Sequence, residues 1–215
     1  MSVDGGVDFI DASMQAAAVL RQTGLDAERQ PDAVAVALKL GVHVRGVRTT
    51  VLGSRSMLSF RHGDPFVHVS EELDERSLQY HVAHELGHWT LWDRALVRER
   101  EEEWCCAFAG ALLAPHGFLS RAWEGAPTLS ALCERFPLVP PTCLVLCLGE
   151  RRIEDTFVFQ RNGLRYARSS RDASSEVLDA AEWASRRGPL TRPGLRASRL
   201  PDAPERVAVV VTRAA

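Results

Sequence analysis

Between residues 12 and 22 the apolar positions recur at helical spacing. Pro31 to Leu40 repeats that pattern through Ala33, Val34, Val36, Ala37 and Leu40, with Pro31 in the first turn and Gly41 as the stop. The period then falls to two. Val42 to Val47 alternates as a short strand, and Met57 to His62 and Phe66 to Val69 predict two more around a turn at His62-Gly-Asp-Pro65. Ser70 reads as the cap of the next helix, with Glu71, Glu72, Asp74 and Glu75 near its positive end and a run through His84 and His88 to about Trp92. A charged stretch, Arg94 to Glu103, leads into an apolar helix from Trp104 to Ala114, which Pro115 stops.

Further on, Thr128 to Phe136 and Thr142 to Leu148 predict two short helices around Pro137-Leu-Val-Pro-Pro141, the outline of a helix-turn-helix. Thr156 to Gln160 and Leu164 to Ala167 flank Arg161-Asn162-Gly163, a strong hairpin signal. A helix near Ser174 to Arg187, a linker rich in Pro, Gly and Arg, and a strand from Val207 to Val211 complete the pattern. It predicts an α+β chain in three parts: a principal domain over residues 8–120, a small helical module over 121–150, and a β-hairpin, helix and strand appendage over 151–215.

Composition agrees with an independently folding chain: 215 residues, 46% hydrophobic and 25% charged. A formal net charge of -2 argues against a generic polyanion binder, although 25 of the 26 basic residues are arginine. Only Arg135 is basic between Thr128 and Gly149, too little for a DNA-reading module, so direct DNA binding is not expected there and packing or substrate docking is. The acidic opening and the lack of a membrane-length apolar run predict a cytoplasmic protein. Five cysteines without a C-x-x-C pair signal neither a disulfide framework nor a cysteine zinc cluster.

The chemistry concentrates in His84-Glu85-Leu-Gly-His88, an H-E-x-x-H pattern on the predicted helix. Histidines at i and i+4 lie about 40° apart around a helix axis, so both imidazoles reach one Zn²⁺. Glu85 beside them suits a general base toward a bound water. The metzincin continuation is excluded, because Leu91 and Arg94 stand where it needs Gly and His. Glu101, Glu102 and Glu103 are all within range as a third ligand. Glu102 is preferred because it shares a helical stripe with Cys106, Ala109 and Leu113, whereas its neighbours are rotated about 100° either way.

These residues carry a resemblance. Tyr80 to Trp89, then Glu102, then Phe108 to Pro115, resembles the ImmA/IrrE metallopeptidase family, whose pattern is an H-E-L-G-H helix followed by E-x-x-A-N-x-F-A-x-x-L-L-x-P. The match extends loosely from about Val42 to Gly149. It implies a zincin-like fold, zinc held by His84, His88 and Glu102, Glu85 as general base, and an endopeptidase acting on helix-turn-helix (XRE-type) transcriptional repressors in a stress or mobile-element response. In place of the family's Ala-Asn this chain has Cys105-Cys106, and the Asn position is where a partner would orient a ligand.

Other readings stand beside that one. The same cleft serves a non-catalytic zinc-binding regulator that holds a repressor or antitoxin partner, or the histidines simply satisfy hydrogen bonds in a half-buried helix. His81, nearly in line with His88 but a turn before His84, suits substrate contact or packing. Tyr80, His116 and Arg94 are candidate oxyanion donors, with no ground for choosing among them. Cys106 on the face of Glu102 admits a redox switch as well as a small apolar role. Phe66 to Ser70 is expected to offer a sheet edge to an extended substrate.

Overall fold

A computed structural model describes residues 6–25, 29–92, 98–125, 128–150, 155–160, 163–168, 175–187, 189–192, 195–200 and 203–211. The chain is a mixed α+β protein that divides into two compact units, Met1–Pro140 and Pro141–Ala215. The helices of the expected 121–150 module fall on either side of that border, the first in one unit and the second in the other.

In the first unit α1 (Gly6–Thr23) and α2 (Ala33–Lys39) precede β1 (His43–Val47), a short α3 (Thr49–Leu52), β2 (Ser56–Arg61) and β3 (Asp64–Ser70). The three strands form one sheet in the order β1-β3-β2, with β1 parallel and β2 antiparallel to β3. Phe66 to Ser70 is therefore not an edge, because β1 and β2 occupy both of its sides. Among the described residues the edge strands of this sheet are β1 and β2. The hairpin joining β2 to β3 is tighter than the expected four-residue turn: His62 at φ 55° and Gly63 at φ 94° form a two-residue connection of the kind that follows the twist of paired strands.

α4 (Glu75–Thr90) lies against β2 and β3, and Val82, Ala83 and Leu86 are among its buried residues. Its cap is Asp74, whose carboxylate accepts from the Ser77 backbone N–H at 2.7 Å, and not Ser70. Ser70 ends β3, and its hydroxyl is committed to Thr49 Oγ1 and to the Glu72 N–H. Gln79, 3% exposed on α4, reaches back 46 residues. Its Oε1 accepts the Ala33 N–H that opens α2, and its Nε2 donates to Asp32, the cap of that helix.

α5 (Arg98–Leu113) takes in the acids expected to lead up to it. It lies along α4 and α1, where Trp104 Nε1 donates to Asp11 Oδ2 at 2.9 Å. Gly87 of α4 makes the closest approach: a Cβ there would meet Cys105 Cα and Sγ at 3.1 Å. α6 (His116–Gly125), absent from the sequence reading, buries Leu119, Ala122 and Trp123, and α7 (Leu129–Arg135) follows under a Thr128 cap. Phe108 and Phe136 are among the largest fully buried side chains of this unit.

The second unit holds α8 (Pro141–Glu150), β4 (Asp155–Gln160), β5 (Gly163–Arg168), α9 (Ser175–Arg187), β6 (Leu190–Arg192), β7 (Leu195–Leu200) and β8 (Ala203–Val211). Its five strands form an antiparallel sheet in the order β5-β4-β8-β7-β6. Val177, Ala180, Ala181 and Ala184 of α9 pack on Leu195, Ala197, Val207 and Val209. The stretch read as a linker thus contains β6 and β7, which lack the apolar runs that mark a strand in sequence. Residues 161–162 of the expected hairpin turn lie outside the described residues. No helix among the described residues is long and apolar enough to cross a membrane.

Candidate metal centre

α4 presents His81, His84, Glu85 and His88 to a cleft of about 860 Å³, which α5 borders with Glu101, Glu102 and Cys106 and β2 with Ser56, Met57 and Leu58. Glu102 stands between the two histidines of the motif. Its Oε2 is 3.2 Å from His84 Nε2 and its Oε1 is 3.6 Å from His88 Nε2. The three side chains each offer a ligand atom within 4.8 Å of the others, a cluster able to chelate a metal ion. Donors around a tetrahedral zinc are spaced by about 3.4 Å, close to the two carboxylate–imidazole separations. Glu102 is half exposed, which leaves room for it to adjust.

Burial, aided by the nearby charge of His88, lowers the His84 pKa to about 4 against the opposing pull of Glu102. The imidazole is therefore neutral at physiological pH and its lone pair is free for a metal.

Each histidine has a contact at its other nitrogen. His88 Nδ1 lies 2.8 Å from Glu101 Oε1, so that with the proton on Nδ1 the ring donates to the carboxylate and turns the Nε2 lone pair toward Glu102. His84 Nδ1 instead meets the Cys106 thiol at 3.7 Å, a much weaker partner. Glu101, set aside as a ligand on helical phase, therefore has a different place in the site. The same 100° rotation carries it past Glu102 to the outer side of His88.

Glu85 is 6% exposed and is tied to β2. Ser56 Oγ donates to Glu85 Oε1 at 2.7 Å, and the Leu58 backbone N–H donates to the same carboxylate. Having given its proton to Glu85, the Ser56 hydroxyl accepts from His81 Nδ1, 3.2 Å away. Burial raises the Glu85 pKa, and the two hydrogen bonds from β2 and the charge of His88 moderate the rise. Burial followed by the charge of Arg55 lowers that of His81. No sequence signal marks Ser56, which lies 29 residues before Glu85 and reaches it only through the sheet.

Among the expected oxyanion donors, Tyr80 lines the cleft with its ring 6.3 Å from that of His84. His116 opens α6 and does not line it, and Arg94 lies outside the described residues. Cys105 is fully buried, and burial with the charges of Glu101 and Glu102 pushes its thiol pKa far up, so it packs as an apolar group.

No family model matches the chain, and no curated protein matches it. Among solved structures, that of a Mycobacterium tuberculosis transcriptional regulator is similar, with a TM-score of 0.63 at 16% identity over 94% of this chain and 87% of that one. At that identity the likeness is one of fold.

Proposed function

We propose that the chain is a zinc-binding regulatory protein that engages a helix-turn-helix repressor or an antitoxin through the cleft, and that Glu85 makes the same cleft a zinc endopeptidase of the ImmA/IrrE type. Engagement without cutting needs only the His84, His88 and Glu102 cluster and a partner surface. The fold shared with a transcriptional regulator favours that part of the reading. The observation that carries the peptidase is the position of Glu85, one residue from His84 in the wall of the metal cleft, with one carboxylate oxygen held by Ser56.

Zinc held by His84, His88 and Glu102 would polarise a scissile carbonyl and make water acidic enough to deprotonate. With a metal bound, Glu85 would be the group that accepts that proton and passes it to the departing amine. Burial favours the protonated form of Glu85, which brings its basicity closer to that of the groups it must exchange with.

The test is to incubate metal-loaded protein with the repressor encoded beside its gene and to follow cleavage by mass spectrometry. Wild type should cut, while Glu85→Gln should keep zinc and partner but leave the repressor whole. A fully metallated wild type that binds the repressor and leaves it intact would establish the non-catalytic regulator instead.

A further inference from the structure

Three of the four tryptophans of the first unit differ in their setting. Trp104 and Trp123 are sunk in the core at 2% and 4% exposure, whereas Trp92 is 64% exposed and forms part of the metal cleft. Its ring lies against that of Phe60, itself 37% exposed, with centroids 4.1 Å apart. Large aromatic groups left in water beside a polar cluster are not packing a core, and they mark a place where something apolar docks. The contact also fixes the Trp92 ring, which lowers the entropic cost of using it as a binding wall.

The surroundings select the occupant. Trp92 follows His88 by four residues, just past the end of α4, and so continues the stripe of His84 and His88 by about one turn. Phe60 belongs to β2, an edge strand of its sheet among the described residues. The groups of that edge nearest the metal cluster are engaged: the Ser56 carbonyl accepts from Ser54 Oγ, and the Leu58 N–H donates to Glu85. Strand alternation turns the Leu58 carbonyl and the Phe60 N–H to the same side, about 7 Å of strand leading from Glu85 toward the aromatic pair. An extended backbone satisfies such groups. Glu85, Glu101 and Glu102 make the cleft a poor match for anionic lipid or nucleic acid.

We infer that Trp92, braced by Phe60, is the specificity wall of the cleft, and that it receives an aromatic or large apolar side chain of an extended peptide lying along β2. The inference rests on the reading of the cleft as a peptide-binding zinc site, and gives it a side-chain preference.

Two small zinc-binding probes separate the wall from the metal. Acetohydroxamate reports only the open metal position, while phenylacetohydroxamate adds a ring that reaches past it. Titrated calorimetrically into the zinc-loaded full chain, the aromatic probe should bind about ten-fold more tightly, the upper end of what one aromatic pair contributes. Trp92→Ala should bring the two affinities to within about two-fold without changing zinc content or acetohydroxamate affinity, and Trp92→Phe should restore most of the preference. An advantage that survives in Trp92→Ala, or that is missing from wild type while acetohydroxamate still binds, overturns the wall alone. Failure of both probes on fully metallated protein overturns the open zinc position, and the wall with it.

Discussion

His84 and His88 stand on one turn of one helix, yet their outer nitrogens have unequal partners, a carboxylate for one and a thiol for the other. Outer contacts of this kind tune metal affinity by about 10- to 100-fold. Glu101→Gln is accordingly expected to weaken zinc binding by about that factor, and Cys106→Asn, which gives His84 a better partner, to strengthen it; competition with a calibrated chelator measures both. Equal affinities in wild type and Glu101→Gln would remove Glu101 from the site. Protonation of His84 and Glu85 shapes the metal-free protein. The folded-state pKa of His84 lies below its ordinary value, so between about pH 6.5 and 4 the unfolded chain holds a proton that the folded chain lacks, and stability falls as pH falls through that window. Glu85 acts the other way, because its raised pKa costs stability as pH climbs above the ordinary carboxylate range. Urea titrations of metal-free Glu85→Gln should therefore show the histidine's effect unmasked, a loss on the order of 3 kcal/mol between pH 7 and 4. A flat profile would contradict the burial of a neutral His84.

The geometry of the centre depends on how closely α4 and α5 approach, and Gly87 against Cys105 sets that spacing. Gly87→Ala places a methyl group against a backbone carbon that has no room to yield, so the helices must part by a few tenths of an ångström. The expected cost is about 1–3 kcal/mol of stability in a denaturant melt, accompanied by weaker zinc binding as Glu102 moves away from the histidines. Unchanged zinc affinity would show that the third ligand does not rely on this contact. At this scale the sequence was most informative where a period was sustained: the helix bearing the motif, the apolar half of α5 and the first three strands were all legible. The cap of α4 was misplaced by four residues, because Ser70 and Asp74 are both good caps and only pairing in the sheet decides between them. α6 was missed, since Gly117 and Gly125 obscure a short amphipathic run. The His84, His88 and Glu102 cluster is legible from motif spacing, helical phase and the family resemblance together, but its supports are not: Ser56 and Leu58 reach Glu85 through tertiary folding, and nothing in the spacing sets Glu101 against the outer nitrogen of His88.

At the scale of the molecule, the three candidate ligands, Glu85 and the contacts that hold them all belong to Met1–Pro140. A fragment of residues 1–140 is therefore expected to bind zinc within about two-fold of the full chain, since each donor and its outer contact are kept; calorimetry checks this, and a ten-fold loss would show that the second unit shapes the centre. The clasp between Gln79 and the start of α2 bears on how this unit comes to exist. Seven residues are too few to hold a helix in water, and here the first N–H of the helix is satisfied by a side chain 46 positions away. α2 therefore gains its full set of hydrogen bonds only once α4 has docked against it, so the order of the two helices along the chain is the reverse of the order in which one supports the other.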